Sequence, residues 1–157
     1  MILKEIDEID KSIIEMLQND PSITHSEIAK KLDRSQPAIG DRIKKLEEKG
    51  ILATQMGVNF YQIDNLNLVK VEFSTSNPNK IFEMANKCPY IINILKMSGK
   101  LNIMVLLACS SLKRIDFIVD KHFRSSEHIK NVRMDLITDI SKKLVLPISF
   151  CIEDFEN

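Results

Sequence analysis

Residues 23–50 read ITHSEIAKKLDRSQPAIGDRIKKLEEKG, and their pattern predicts two short helices joined by a tight turn. Thr24 and Glu27 have the spacing of a capping box, in which each side chain accepts from a backbone N–H at the start of a helix. Ser35 has the position of a second N-cap, and Gly50 ends that helix because glycine adopts the left-handed conformation at little cost. Behind each cap the apolar residues recur at helical spacing, at Ile28, Ala29 and Leu32 and then at Ile39, Ile43 and Leu46.

Another amphipathic helix precedes this pair. Asn19-Asp20-Pro21 ends it, and its apolar residues are Ile6, Ile9, Ile13, Met16 and Leu17. Three short helices with a tight turn at Asp33-Arg34 match a helix-turn-helix, whose last helix lies in the major groove of DNA. The loosely alternating residues 51–63, which contain Gly57, predict two short strands around a turn, followed by a connector.

The charge of the whole chain is balanced, with 22 basic and 22 acidic residues, so only its local distribution bears on a nucleic-acid partner. Residues 1–29 hold two basic and seven acidic side chains, a net charge of −5, whereas residues 30–49 hold seven basic and four acidic ones, a net charge of +3. This asymmetry favours DNA as the partner of the last helix. The alternative is that Lys44, Lys45 and Lys49 only solvate the helix and pair with Glu47 and Glu48.

Helical geometry separates the two sides of the last helix, because residues 37, 38, 41, 45 and 48 point away from its apolar side. We hypothesise that Gln36 contacts a base edge, and that Ser35 and Arg42 bond phosphates or bases. The full set predicted to contact double-stranded DNA is Thr24, Arg34, Ser35, Gln36, Pro37, Ala38, Asp41, Arg42, Lys44 and Lys45.

These residues resemble the N-terminal domain of Lrp/AsnC transcription regulators, over segments 9–14, 23–32, 35–39 and 42–51. The resemblance implies a sequence-specific regulator whose residues 1–60 form a winged helix-turn-helix DNA-binding domain. Residues 24–32 would be the supporting helix, 35–49 the recognition helix, 51–60 the wing, and 51–65 wing and linker together. The family usually has Gly-Leu where this chain has Asp33-Arg34. Aspartate is among the better substitutes for glycine in the left-handed conformation, so we expect the turn to persist and Arg34 to contact a phosphate.

From Leu66 to Thr138 the pattern changes to β-α-β-β-α-β, which predicts a ferredoxin-like arrangement. The second of its helices is expected to direct Leu112, Ile115, Val119 and Phe123 inward. A tail strand over residues 144–152 contains Pro147, so it must lie at a sheet edge or in a bulge. The predicted fold class is therefore α+β, a winged helix-turn-helix followed by a ferredoxin-like βαββαβ domain over residues 66–157, which the resemblance identifies as RAM-type.

Nearly every residue of the strand from Leu101 to Cys109 is apolar, which predicts that both of its faces are buried. The two helices can cover only one face of a four-stranded sheet. A second copy of the sheet is our preferred cover for the other face, because a lone helix-turn-helix usually binds too weakly to specify a site. The alternative cover is the tail, residues 144–152. We therefore predict a homodimer, and assembly into octamers stays open.

The family's regulatory domain carries a Gly-x-x-Asp in the turn between two strands, at a subunit interface, where it helps to bind an amino-acid effector. This chain has Asn102 where the family has Asp. The resemblance implies that an amino acid or other small-molecule effector binds beside Gly99, Lys100, Leu101 and Asn102.

Other classes find less support in the sequence. The charged N-terminus lacks the apolar region of a signal peptide, and the longest apolar run, residues 103–109, is too short to span a membrane, so we expect a cytoplasmic protein. The separated Cys88, Cys109 and Cys151 predict reduced thiols.

Two other functions compete with a transcription regulator. One is an enzyme that resembles siroheme decarboxylases, which share the same two-domain layout. The other is an effector-binding module whose helix-turn-helix binds protein. Because the histidines lack ligand spacing and no phosphate loop is present, we expect no enzyme and no cofactor; the histidines are His25, His122 and His128.

Overall fold

The computed structural model of the chain describes residues 6–85, 87–141 and 144–147. The chain divides into two compact units, Met1–Gln55 and Met56–Asn157, which we call the head and the sheet unit. Within the described ranges, no helix combines the length and the apolar character needed to cross a membrane.

Three helices build the head, which confirms the prediction: α1 is Glu8–Asn19, α2 is His25–Leu32 and α3 is Gln36–Glu48. One apolar cluster joins them, because each helix contributes a fully buried isoleucine, Ile13, Ile28 and Ile39. Burial of each such side chain contributes about 1.5–3 kcal/mol to folding. The predicted capping box of α2 and the Ser35 cap of α3 are present. A second capping box, formed by Asp7 and Asp10 at the start of α1, was not predicted.

The turn between α2 and α3 has the left-handed residue that the sequence predicted. Asp33 has φ +51° and ψ +54°, and the carbonyl of Ala29 accepts from the backbone N–H groups of both Asp33 and Arg34. Gly50, the residue after the Lys49 C-cap of α3, has φ +66°, as expected for the residue that ends this helix. These two positions fix the direction in which the chain enters and leaves α3.

The strand pairing predicted for the wing is wrong. Residues 51–57 contain no strand, and β1, Val58–Asn59, pairs antiparallel with β6, Val145–Leu146, from the tail. Gly57 explains the difference: a Cβ atom there would lie 2.6 Å from the carbonyl oxygen of Leu146. This glycine allows the tail to approach closely, whereas the sequence suggested a hairpin turn. The described part of the tail lies in a two-stranded sheet followed by Pro147, consistent with the predicted edge position, and residues 148–152 lie outside the described residues.

The rest of the sheet unit has the predicted β-α-β-β-α-β order. Its elements are β2 (Asn67–Thr75), α4 (Pro78–Ala85), β3 (Ile91–Lys96), β4 (Ile103–Cys109), α5 (Leu112–Val119), a π-helical turn (Asp120–Arg124) and β5 (Ile129–Leu136). The sheet order is β3-β4-β2-β5 with all neighbours antiparallel, which is ferredoxin-like. β5 pairs with β2 from Ile129 to Leu136. Its register shifts opposite Glu72 and Ser74, and Asn131 has φ +58°, so this segment lacks regular alternation.

One face of the sheet packs against α4 and α5. Phe73 of β2 and Phe123 of the π-helical turn are fully buried, with ring centroids 5.0 Å apart. The prediction that Leu112 points inward is wrong, because this side chain is 49% exposed. At 100° per residue, the buried stripe is centred on Ile115 and Ile118, and Leu112 lies at its edge in the first turn.

The other face of the sheet is covered in part by the chain itself. Leu68, Ala108 and Leu146 form a second buried cluster, against which Phe60 and Leu144 pack. The tail therefore covers one end of this face, as the alternative interpretation proposed. Along β4, Met104 and Leu106 of the same face are only partly buried.

Candidate nucleic-acid interface

The rotation of α3 about its axis is set by three buried side chains, Ile39, Ile43 and Leu46. The predicted outward side of the helix is exposed at Pro37, Asp41, Lys45 and Glu48, whereas Ala38 is half-buried. Lys44, on the flank, is also exposed.

The start of α3 is the second part of the candidate interface. Ser35 caps the helix, since its Oγ accepts from the N–H of Ala38 at 3.4 Å. Gln36 and Pro37 are exposed in the first turn, and Arg34 is exposed just before the cap, where its Nη1 donates to the carbonyl of Asp33 at 2.8 Å. A helix start of this kind has free backbone N–H groups and the positive end of the helix dipole, which together favour a phosphate.

Thr24 has a structural role at the start of α2. Its Oγ1 accepts from the N–H of Glu27 at 3.2 Å and donates to Glu27 Oε2 at 2.7 Å. The backbone N–H of Thr24 donates to the same carboxylate at 2.9 Å. The hydrogen bonds from the Thr24 backbone and hydroxyl lower the pKa of Glu27 below its usual value. The only hydroxyl proton of Thr24 is thus bound within the head, and its contact with DNA stays a prediction.

Arg42 is held by two carboxylates of the head. Its Nη1 donates to Asp7 Oδ2 at 2.7 Å and to Asp10 Oδ1 at 2.8 Å, and the Asp10 side chain is only 13% exposed. Hydrogen bonds to Asp10 and Asp7 raise the pKa of Arg42, and the backbone N–H of Asp10 together with Arg42 lowers the pKa of Asp7. Arg42 therefore links α3 to the capping box of α1. Sequence reasoning missed this role because the two partners lie 32 and 35 residues earlier in the chain.

Lys44, on the flank of α3, and Lys45, on its outward side, differ in their surroundings. Lys44 Nζ lies 3.8 Å from Glu48 Oε1, a loose and exposed ion pair of the kind that the alternative interpretation expected. Lys45 is exposed and forms no ion pair within the part of the chain that the structure describes. Lys45 is thus the cation of α3 most available to a phosphate.

The four residues predicted to border an effector lie together in the β3–β4 turn, but Asn102 is already bonded. Its Oδ1 accepts from the N–H of Thr75 at 2.9 Å, and its Nδ2 donates to the carbonyl of Thr75 at 2.8 Å. An ionised aspartate accepts but cannot donate, so only the amide satisfies both backbone groups of Thr75. Gly99 and Lys100 are exposed, and Leu101 is half-buried.

Two of the three histidines line the same cavity, which their spacing in the sequence did not predict. His122 and His128 both line a cavity of about 280 Å³ beside α4, which we call the α4 cavity; it is also lined by Thr75, Asn77, Lys80 and Lys121. Burial, and then the neighbouring Lys121, lower the pKa of His122 below its usual value. The third histidine, His25, lies beside Gly40 in the head. Among the described residues, no three His, Cys, Asp or Glu side chains form a group that could hold a metal ion.

Residues 6–53 match a family of proteins described as winged helix-turn-helix DNA-binding. The chain is 41% identical over 83 residues to the HTH-type transcriptional regulator LrpA of Pyrococcus horikoshii, a match that covers 52% of this chain but only 58% of LrpA. It is 28% identical over 142 residues to an uncharacterized HTH-type transcriptional regulator of Pyrococcus furiosus, covering 87% of this chain and 95% of that protein.

Solved structures share the fold over most of the chain. AsnC of E. coli has a TM-score of 0.72 at 17% identity and covers 87% of this chain and 95% of its own. A transcriptional regulator of Neisseria meningitidis, solved as a complex with L-Met, has a TM-score of 0.74 at 17% identity and covers 90% and 96%. At such identities the likeness extends to the fold alone.

Proposed function

We propose that the chain is a transcriptional regulator of the Lrp/AsnC kind, whose head binds specific sites in duplex DNA through α3 and thereby controls transcription. The observation that carries this proposal is the geometry of α3. Its buried isoleucines fix its rotation, its capped start is exposed, and Lys45 on its outward side has no carboxylate partner among the described residues. A cytoplasmic location is part of the same proposal.

The residues of this interface have different roles in the proposal. Gln36, exposed in the first turn, contacts a base edge, since an amide side chain forms paired hydrogen bonds with adenine. Arg34, Ser35, Lys44 and Lys45 contact phosphates. Arg42 acts by holding α3 against α1, because its charge is compensated by Asp7 and Asp10.

The experiment that tests these roles compares two variants by fluorescence anisotropy, on the duplex upstream of the chain's own gene and on a shuffled duplex. The double change Lys44→Gln and Lys45→Gln should weaken binding to both duplexes. It should also reduce the slope of log affinity against log salt concentration by the contribution of about two phosphate contacts. Gln36→Ala should cost about 1–3 kcal/mol on the specific duplex only. Lys11→Gln, which removes an exposed charge from α1, is the control. Equal loss on both duplexes from Gln36→Ala would contradict its role.

We further propose that the chain is a homodimer, paired through the sheet face opposite α4 and α5. Met104 and Leu106 are only partly buried on that face, and Leu95, paired with Met104, is 44% exposed. Beside them lies a charged cluster, in which Lys70 contacts Glu72 at 3.1 Å and Asp135 at 3.2 Å. Light scattering should give twice the chain mass of 18.0 kDa, and a monomer would refute this part of the proposal.

The effector also belongs to the proposal. We infer that an amino acid or another small molecule binds beside the turn at residues 99–102, supported by the L-Met complex of the structural neighbour from Neisseria meningitidis. Calorimetric titration with the twenty amino acids tests the amino-acid effector, and the absence of heat for all of them would overturn that assignment. We assign the chain no catalytic activity, because its relatives are named as transcriptional regulators.

A further inference from the structure

The α4 cavity is a second place in the sheet unit where a small molecule fits. It lies beside α4 and the π-helical turn, and its volume is about 280 Å³. A water molecule occupies about 30 Å³ of liquid, so the cavity accommodates roughly nine non-hydrogen atoms. That size suits a small metabolite and is too small for a nucleotide.

The lining of the cavity is positively charged, although the chain as a whole is neutral. Lys80 and Lys121 line the cavity, although Lys121 Nζ also lies 5.6 Å from the centroid of the exposed Phe117 ring. His122 and His128 add two imidazoles, and no carboxylate lines the cavity. Neither lysine forms an ion pair with any described residue. Three carboxylates are adjacent in sequence to lining residues: Asp120 accepts from Arg124 Nη1 at 2.7 Å, Glu83 is exposed, and Glu127 lines a neighbouring cavity that shares Thr75 and His128. Such a lining favours an anionic group.

The cavity also has an apolar side. Ile81 and Met84 line it from α4, one turn apart, and Ile81 is only 6% exposed. Thr75, 7% exposed, contributes a hydroxyl whose oxygen accepts from the N–H of Asn77 at 3.1 Å and whose proton has no acceptor among the described residues. The lining thus provides cations, a hydroxyl donor and an apolar surface for one compact ligand.

The same lining selects against free amino acids. The ammonium group of an amino acid loses hydration in a cavity and needs an anionic or carbonyl acceptor in exchange. No carboxylate is in the lining, and its one side-chain carbonyl, Asn77 Oδ1, already accepts from the backbone N–H of Lys80 at 3.4 Å, so beside Lys80 and Lys121 that group meets like charge. We propose that the α4 cavity binds a small organic acid without an amino group, of the 2-oxo-acid type, with its carboxylate held by Lys80 and Lys121 and its alkyl chain on Ile81 and Met84.

Two probes of nearly equal size test this proposal on the full chain in the absence of DNA: 4-methyl-2-oxopentanoate and leucine, which differ in the oxo or ammonium group. Binding is measured by the perturbation of amide NMR signals at residues 80–84 and 121–128. We expect saturable binding of the oxo acid at least about tenfold tighter than that of leucine at these signals, a difference of about 1.4 kcal/mol. Absence of saturation by the oxo acid, or equal affinity for leucine at these signals, would overturn the proposal.

Charge-removal variants provide the matched control. Lys80→Gln with Lys121→Gln should weaken binding of the oxo acid at least about tenfold. Lys30→Gln, in α2, and Lys113→Gln, on the exposed side of α5, remove the same charge outside the lining and should leave affinity unchanged. An unchanged affinity in the double variant would refute the assigned site. Equal losses of affinity in the control variants would show that the loss comes from the overall charge of the protein, and they would also refute the assigned site. Because no DNA is present, these results are independent of the proposed DNA-binding function.

Discussion

Arg42 illustrates how a cation on an exposed helix becomes part of the head's framework. Its guanidinium joins α3 to Asp7 and to the largely buried Asp10 at the start of α1. We expect Arg42→Ala to lower the melting temperature of the head by about 4 °C, because Asp10 then lacks its cation. Lys45→Ala, the control on the outward side, should leave the melting temperature unchanged and weaken DNA binding. Calorimetry checks the first expectation, and equal melting temperatures in both variants would contradict it.

Asp7 makes the same link dependent on pH. Its folded-state pKa is lowered below the usual 3.8 by the N–H of Asp10 and by Arg42, so its ionised form stabilises the fold. That stabilisation is present above pH 3.8 and is lost as the pH falls through the lowered pKa. We expect Asp7→Asn to be less stable than the wild type at pH 6, with the two converging as the pH falls through the lowered pKa of Asp7. Urea unfolding measures this, with Glu15→Gln as the control. A pH-independent difference would show that capping geometry alone accounts for the loss.

At the scale of elements, the turn between α2 and α3 depends on one backbone conformation. Asp33 has φ +51°, a region that glycine occupies freely and β-branched residues avoid. We expect Asp33→Val to destabilise the head by about 1–2 kcal/mol, whereas Asp33→Gly should be neutral or stabilising. Asp41→Val, within the regular part of α3, is the control and should destabilise the head by only about a few tenths of a kcal/mol. Chemical unfolding distinguishes these outcomes, and a neutral Asp33→Val would contradict the conformational argument.

Pairing of the tail with β1 depends on Gly57. A Cβ atom at this position would lie 2.6 Å from Leu146 O, so Gly57→Ala must push β1 and β6 apart. The amide of Phe60, which donates to Leu144 O at 2.9 Å, should then lose protection from hydrogen exchange by at least about tenfold. At Gly99 an added Cβ would meet no atom closer than 3.7 Å, so Gly99→Ala is the control. Unchanged protection of Phe60 in Gly57→Ala would refute the close approach.

Across the whole molecule, local patterns in the sequence were sufficient for most elements. The caps at Thr24 and Ser35 and the strand order of the sheet unit follow from spacing and alternation, the left-handed turn at Asp33 follows from the family resemblance, and all are present. The features that sequence reasoning missed depend on partners far apart in the chain. Arg42 contacts Asp7 and Asp10, and Gly57 contacts Leu146, because tertiary packing brings together residues that no local period relates.

The candidate sites follow the same distinction. The outward side of α3 was predictable because a helix has a fixed period, and Ile39, Ile43 and Leu46 mark its buried side. By contrast, the sequence did not predict that Lys80, His122 and His128 line one cavity, because α4 and the π-helical turn are separated along the chain by two strands and a helix.

Selection of bound duplexes from a random pool by the wild-type chain, followed by footprinting of the enriched sites, tests the central claim most directly. The proposal that paired heads present α3 to the major groove predicts an inverted repeat whose half-sites lie about one helical turn, or a multiple of it, apart. Enrichment of no sequence at low salt, or of a single asymmetric half-site protected by a monomer, would contradict it.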